Sequence, residues 1–403
     1  MLTINDVHLQ FANYFKSEIL KPYIYILSKK LSEGHICIKL DENYRDELTK
    51  AGFNNISSIE NLEIDNLISK GIDYKPFILF DKRLYLQRYF HYETIILKKI
   101  TELVNKENSN NETQLLVHKE FIINLFTDSS DKEEHINWQL AAAITAVLSD
   151  FSIITGGPGT GKTFTVAKIL SILFTINPDL KVALTAPTGK AAARMGESLK
   201  SAANDAGEGL RVKFESLQPS TIHRLLGSIR SSPHFKHNSE NILNYDVVIA
   251  DESSMIDSSM FAKLLDAIGP ETKLILLGDK DQLASVEAGS LFGDLCQAQE
   301  KLNMFSSDRI KLINSFIENQ AEQIPTQHTE ANHSHPLFQH IIELQYSRRF
   351  SDDRGIGKFS KAIINNREED IKYFILTGDE EVTIDLNFNE EFLSNSLRVM
   401  KHL

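Results

Sequence analysis

Gly156-Gly157-Pro158-Gly159-Thr160-Gly161-Lys162-Thr163 follows directly on the apolar run 151–155. It reads as G-x-x-x-x-G-K-T, the phosphate-binding loop of nucleoside-triphosphate sites. The context is what the chemistry needs: a short buried strand, a glycine-rich turn, then a helix opening at Lys162. Glycines let successive N–H groups turn toward one anion, and the helix N-terminus adds a favourable dipole. Gly157, Pro158, Gly159, Thr160 and Gly161 are therefore the expected phosphate cradle. Lys162 is placed to reach the β- and γ-phosphates, and the Thr163 hydroxyl to ligate Mg²⁺. The expected ligand is ATP with Mg²⁺.

The chain has 403 residues, a hydrophobic fraction of 42% and two cysteines. That length allows two or three domains. No run of about 18 apolar residues occurs, so no membrane span is expected. The N-terminus lacks a basic-then-apolar leader, and Cys37 and Cys296 are too few for a disulfide framework or a zinc ribbon. A cytoplasmic protein with two core thiols is the expectation. The net charge of −12 argues against a generally basic, nucleic-acid-binding surface but leaves room for a local basic groove.

Residues 1–110 read as a first, mixed α+β unit that docks a partner. Val7, Phe11, Tyr14, Phe15 and Ile19 recur at helical spacing, which predicts an amphipathic helix. Residues 34–38 predict a turn and a short strand, and 77–86 a tight hairpin. Tyr85, Tyr89, Phe90 and Tyr92 are expected to pack together rather than stack on bases. Lys106 to Thr113 is polar and reads as an exposed linker.

From residue 111 to about 385 short β-rich runs at 151–155, 181–186, 246–250 and 272–277 alternate with helical stretches. This predicts an α/β fold, a parallel sheet flanked by helices on both faces. Such sheets bind ligands at the carboxyl ends of their strands. Residues 297–336 read as a less regular insertion, with one helix over 308–318 and a solvated segment containing His328, His333 and His335. Residues 386–403 read as the start of a following region.

Three further motifs end predicted strands or follow them. Asp246-Val247-Val248-Ile249-Ala250-Asp251-Glu252 delivers two carboxylates. Asp251 is expected to hold Mg²⁺ through water, and Glu252 to orient and deprotonate the attacking water. Leu277-Gly278-Asp279-Lys280-Asp281-Gln282 has the form of a γ-phosphate sensor, with Gln282 facing the terminal phosphate. Leu344-Gln345-Tyr346-Ser347-Arg348-Arg349-Phe350 supplies guanidinium for developing phosphoryl charge. Two more segments suit a polynucleotide: Thr188, Lys190 and Arg194 at a predicted helix start, and Thr221 and His223 in the segment 220–227. A simple helix cap explains Thr188 equally well. Upstream, Gln139 carries an amide able to read an adenine edge, with Trp138 beside it as a core residue.

In this order the motifs resemble the motor core of superfamily 1 DNA helicases, and most closely the RecD family. GGPGTGKT, TAPTGKAAARM, STIHRLLG, DVVIADESSMID, LILLGDKDQLASVEAGSLFGDLC and LQYSRRF are similar to its motifs I, Ia, Ib, II, III and IV. Gly355-Ile356-Gly357-Lys358-Phe359, GHICI and the segment Arg83 to Glu93 are also similar to RecD sequences. The resemblance implies a RecA-like P-loop NTPase domain and roles for Lys162, Thr163, Asp251, Glu252, Gln282, Gln139 and Arg349. Arg349, immediately before Phe350, matches the motif-IV position. It further implies 5′-to-3′ movement on single-stranded or duplex-end DNA, with RecB-like and RecC-like partners in double-strand break repair. Such helicases carry a second RecA-like lobe with motifs V and VI, and no such motif follows Phe350. The expectation is that this chain binds ATP–Mg²⁺, hydrolyses it slowly and does not unwind duplex DNA unaided. The alternatives are an ATP-binding assembly subunit and a free-standing RecD-like helicase.

Overall fold

A computed structural model describes residues 6–41, 43–63, 65–71, 74–106, 109–127, 135–204, 207–282, 288–289, 291–330, 335–347, 355–378 and 381–382. It divides into two compact units, one of residues 1–156 with 162–344 and one of residues 157–161 with 345–403. Among the described residues no helix is long and apolar enough to cross a membrane.

The first unit holds two sheets. The smaller comprises β1 (Cys37–Lys39), β2 (Ile68–Ser69), β3 (Phe77–Phe80) and β4 (Arg83–Leu86), in the order β1-β4-β3-β2. β3 and β4 form the predicted hairpin, with Phe80 opposite Arg83. The turn between them places Asp81 at φ 45° and Lys82 at φ 56°. Two successive left-handed residues match the right-handed twist of paired strands. The aromatic residues that follow do pack: Tyr85 and Phe90 lie 5.4 Å apart edge to face, and Tyr89 and Tyr92 6.2 Å apart.

The predicted N-terminal helix is shorter than its pattern and turned differently. It spans Val7–Tyr14, buries Ala12, and leaves Val7 and Tyr14 exposed. Leu9, Phe11 and Phe15 are the side chains that lean on the core. The polar stretch 106–113 also differs from expectation, because the Ser109–Val117 helix begins within it. Asn111 from that helix donates to the carbonyls of Val147 (3.1 Å) and Leu148 (3.4 Å). It thereby satisfies orphan acceptors at the end of the Trp138–Leu148 helix.

The larger sheet contains β5 (Phe151–Gly156), β6 (Val182–Ala186), β7 (Ser220–Thr221), β8 (Val247–Ala250), β9 (Lys273–Gly278) and β10 (Ile341–Leu344). Its order is β10-β5-β9-β8-β6-β7, and every pairing is parallel. Side chains alternate between faces along each strand. Ile154, Leu184, Ile249, Ile275, Leu277 and Ile342 pack with the Trp138–Leu148 and Lys162–Ile176 helices. Phe151, Ile153, Val248, Leu274, Leu276 and Ile341 pack with the Gln87–Val104 and Ser258–Ala267 helices. Covering both faces leaves β5, β8 and β9 buried throughout. The Gln87–Val104 helix lies within the N-terminal 110 residues, yet its Ile96, Ile100, Leu103 and Val104 are buried against this second sheet.

In the segment 297–336, the polar stretch 325–330 is exposed as expected apart from a half-buried His328, but the residues that precede it are packed. The helix of the segment runs only over Ser307–Asn314, capped by the Ser306 hydroxyl accepting from the Arg309 amide. Phe305, Ile310, Ile313, Phe316, Ile317 and Ile324 are buried in the core that also holds Trp138. His328 packs edge-on against the Trp138 ring at 5.0 Å. His335 accepts a bond from the Leu337 amide at 3.2 Å, while His333 lies outside the described residues. Of the two thiols, Cys296 is buried and Cys37 half-buried.

At the amino end of the larger sheet, Lys273 is buried. Its ammonium donates to the carbonyls of Val147 (3.1 Å) and Ser149 and sits 3.4 Å from the Asp150 carboxylate. Burial pushes its pKa down to about 8, against the opposing pull of Asp150. A folded pKa below the unfolded 10.5 means the unfolded chain binds more protons between those values. Stability from this residue therefore rises as pH increases from 8 to 10.5. Urea midpoints taken across that window should climb more steeply in the wild type than in Lys273→Met. Equal slopes would locate the titration elsewhere.

In the second unit, the Gly355–Ile364 and Glu368–Thr377 helices pack through Phe359 and Phe374, 5.1 Å apart. Residues 355–359 thus open a helix. Arg348, Arg349, Phe350 and the region 386–403 lie outside the described residues.

Candidate nucleotide site

The glycine-rich loop begins where β5 ends. Gly159 (φ 82°) and Gly161 (φ 87°) adopt left-handed backbone, which glycine enters without steric cost. The Thr160 hydroxyl, itself buried, donates to the Gly157 carbonyl at 2.9 Å and closes the loop on itself. Ser347, from the fourth motif, donates to the Pro158 carbonyl at 3.1 Å. After the loop the Lys162–Ile176 helix starts, with Thr163 half-buried in its first turn.

The Lys162 ammonium donates to the Gly156 carbonyl at 2.5 Å. Burial holds its pKa below the usual lysine value, while Asp279, Asp251 and Glu252 pull in the opposite direction. These carboxylates come from the ends of two strands. Asp251 and Glu252 follow β8, and Asp279 follows β9, which lies between β8 and β5. Parallel strands in this order bring three acids and one lysine to the same edge of the sheet.

Burial raises the Asp251 carboxyl, as does the neighbouring Glu252 charge, whereas the Glu252 amide (2.8 Å) and Lys162 favour its ionised form. Glu252 itself sits at φ 52°, a left-handed conformation uncommon for a residue with a long side chain. Backbone strain of this kind gathers at functional turns. The turn is held by Ser253, whose hydroxyl donates to the Ala250 carbonyl at 2.9 Å. Ser254 then donates to the Gln282 Oε1 at 3.0 Å, joining the second motif to the third. Gly278 permits this approach, since a Cβ there would lie 2.7 Å from Phe292 and 3.0 Å from the Ser254 nitrogen.

The turn after β9 is anchored on both sides. The Lys280 amide donates to the Thr155 hydroxyl at 3.0 Å, and its ammonium pairs with Glu343 of β10 at 3.2 Å. Asp279 is buried, its carboxyl raised by that burial and lowered by the Asp281 amide and Lys162. Sequence reasoning quoted Asp279 but gave the turn's role to Gln282 alone. The strand end Gly278-Asp279 next to a lysine-bearing loop was the available signal. Thr163 and Asp251 are half-buried and Asp279 is buried, and hydroxyl and carboxylate oxygens are the donor type that suits Mg²⁺.

The expected polynucleotide contacts fall on the same edge in part. Thr188 is exposed, but its hydroxyl accepts from the Ala191 amide at 3.2 Å and so caps the Gly189–Asn204 helix. Lys190 and Arg194 are exposed on that helix. Thr221 likewise caps the Ile222–Leu226 helix, accepting from Arg224, and the exposed His223 packs edge-on against Phe235 at 5.7 Å. Gln139 occupies the first turn of the Trp138–Leu148 helix, whose cap is Asn137. Arg349 lies outside the described residues.

Residues 139–288 match the model of a family described as an AAA domain. The chain is 42% identical to the RecBCD enzyme subunit RecD of Haemophilus influenzae over 246 residues, 60% of this chain and 37% of that one. Identity to the same subunit of Mycolicibacterium smegmatis is 44% over 165 residues, 40% of this chain and 30% of that one. For Buchnera aphidicola (subspecies Acyrthosiphon pisum) it is 30% over 304 residues, 74% of this chain and 48% of that one. The chain thus spans less than half the length of each of these curated relatives. With a parallel P-loop sheet and the motifs arrayed along its carboxyl edge, the chain is, over the stretch so matched, similar to the RecD subunits of RecBCD enzymes.

Proposed function

We propose that this chain is the ATP-hydrolysing motor segment of a RecD-type DNA helicase. The observation that carries this reading is the meeting of Lys162 with Asp251, Glu252 and Asp279 at one edge of a parallel sheet. Gathering a lysine and three carboxylates at one edge costs desolvation, and a triphosphate with its metal would draw on all four groups. Lys162 binds the β- and γ-phosphates with the backbone of 157–161. Thr163 and Asp251 would hold Mg²⁺, which supplies charge neutralisation on the phosphate oxygens. Glu252 orients the attacking water and takes its proton. Gln282, tied to Ser254, senses whether the terminal phosphate is present. Arg349 stabilises the developing charge, and Gln139 reads the adenine.

The exposed Lys190 and Arg194, with Thr188, Thr221 and His223, form the single-stranded DNA track. Relatives named as RecBCD enzyme subunits support RecB-like and RecC-like partners; 5′-to-3′ movement from duplex ends and a cytoplasmic role in break repair complete the proposed reading. Titrating ATP with and without Mg²⁺, then adding a single-stranded oligonucleotide, tests the reading. Mg²⁺ should tighten ATP by about tenfold in the wild type, an increment of about 1.4 kcal/mol, and not in Asp251→Asn. The oligonucleotide should raise phosphate release. A turnover indifferent to DNA would leave a nucleotide-binding module and remove the motor.

A further inference from the structure

Asn303 is almost fully buried at 1% exposure and stands at φ 58°. Asparagine tolerates left-handed backbone better than most residues, but a buried amide must still find partners. It finds them on β10. Its Oδ1 accepts from the Glu343 amide at 2.7 Å and its Nδ2 donates to the Glu343 carbonyl at 3.0 Å. The Asn303 carbonyl in turn lies 3.0 Å from the His328 Nδ1. A carbonyl only accepts, so Nδ1 carries the proton and this tautomer is set by the contact.

His328 is fixed a second way, since Phe305 donates to its carbonyl at 2.9 Å while Glu330 donates to the Phe305 carbonyl at 3.0 Å. Its ring then meets Trp138 edge to face. Glu322 completes the grip: its carbonyl accepts from the Asn137 amide at 2.9 Å and its carboxylate from the Asn137 side chain at 3.3 Å. Asn137 and Trp138 are the two residues before Gln139. The insertion therefore holds the first turn of the Trp138–Leu148 helix at one end and the edge strand β10 at the other.

We infer that Asn303 and His328 are positioning residues that fix the base-reading end of the Trp138–Leu148 helix against the sheet, and so set discrimination for adenine. The inference rests on the proposed role of Gln139. A bidentate amide–adenine pair tolerates little misplacement, and loosening its support weakens the base contact without touching the phosphate contacts. Phosphates are held by the 157–161 backbone and Lys162, to which Asn303 and His328 make no bond among those described.

Two substitutions separate this role from simple packing. Asn303→Gly keeps the left-handed backbone and removes both bonds to Glu343. His328→Phe keeps an aromatic edge on Trp138 and removes the bond to Asn303. Each should loosen ATP by about fivefold to tenfold, the loss of one or two hydrogen bonds. Affinity for inorganic tripolyphosphate should hold within about twofold, and the ATP-to-GTP preference should fall in step. Trp138 is the single tryptophan of the chain, so its emission, shifted in both variants with circular dichroism unchanged, marks the altered bridge. Equal loss of ATP and tripolyphosphate, or an unchanged ATP-to-GTP ratio, would overturn the inference. Gln139→Ala is the control: if it leaves that ratio untouched, base reading by Gln139 fails and the inference fails with it. A ratio lowered by Gln139→Ala but not by Asn303→Gly or His328→Phe would sink the bridge alone.

Discussion

Lys162→Ala is expected to lower ATP affinity by at least about a hundredfold while the protein stays folded. Charge-assisted hydrogen bonds to phosphate contribute about 1.5–3 kcal/mol each. Removing the ammonium also leaves Asp251, Glu252 and Asp279 uncompensated where a polyanion must bind. Loss of attraction and gain of repulsion act in the same direction, and each 1.4 kcal/mol is about tenfold. The fold should tolerate the change because the lysine's effects on stability oppose one another. Its burial is unfavourable to the charged form, and its carboxylate neighbours favour it. A fluorescent-nucleotide titration reads the affinity, and a thermal melt within a few degrees of wild type checks the fold. Undiminished affinity would mean that the loop 156–163 is not a phosphate site. Collapse of the melt would show instead that Lys162 is structural, held for the Gly156 carbonyl it meets at 2.5 Å.

The parts of the fold that were legible share a cause. β5, β6, β8 and β9 are mostly apolar because they lie inside a covered sheet, and a motif follows the carboxyl end of each. Hairpin β3–β4 was legible because its turn is two residues long. β7 was not, because two residues carry no period. β10 was hidden differently: Ile341-Ile342-Glu343-Leu344 is short, carries a charge at its third position and runs directly into the arginine-bearing motif. The N-terminal helix shows a limit of periodicity. Val7 and Tyr14 fit a helical spacing, yet Asp6 starts the helix and Phe15 ends it, and the buried side passes through Ala12. An alanine is too small to announce a face in a search for large apolar residues.

The site was legible wherever a motif states a local geometry, and opaque where function depends on contacts between distant segments. Asp251 and Glu252 follow the end of β8, and Lys162 opens the helix after the loop that follows β5, so sequence order predicts their edge. The bond from Ser254 to Gln282 spans 28 residues and that from Asn303 to Glu343 spans 40. Neither has a local signature. Thr188 illustrates the reverse problem, since a hydroxyl before Gly189 is required by helix capping whether or not DNA binds.

Phe305→Ala is expected to destabilise the protein by about 3–5 kcal/mol, the range for deleting a large buried aromatic. An exposed side chain would lose no more than about 0.5 kcal/mol. Phe305 is fully buried with Trp138, Leu140 and Ile313 around the Trp138–Leu148 helix. Its backbone bonds the segment 328–330 on both sides, so the cavity would open between two paired segments of the insertion rather than at a free surface. Such a site cannot collapse without moving His328 from Trp138, which places the cost toward the upper part of the range. Urea unfolding followed by Trp138 emission reads the region directly. A midpoint close to wild type would mean that Phe305 lies outside the core, and would remove the insertion as a support of Gln139. A large shift accompanied by undiminished tripolyphosphate binding below the transition would separate the two tasks of this sheet. Phosphate would be held by the loop after β5, and the base by a helix that the insertion keeps in place.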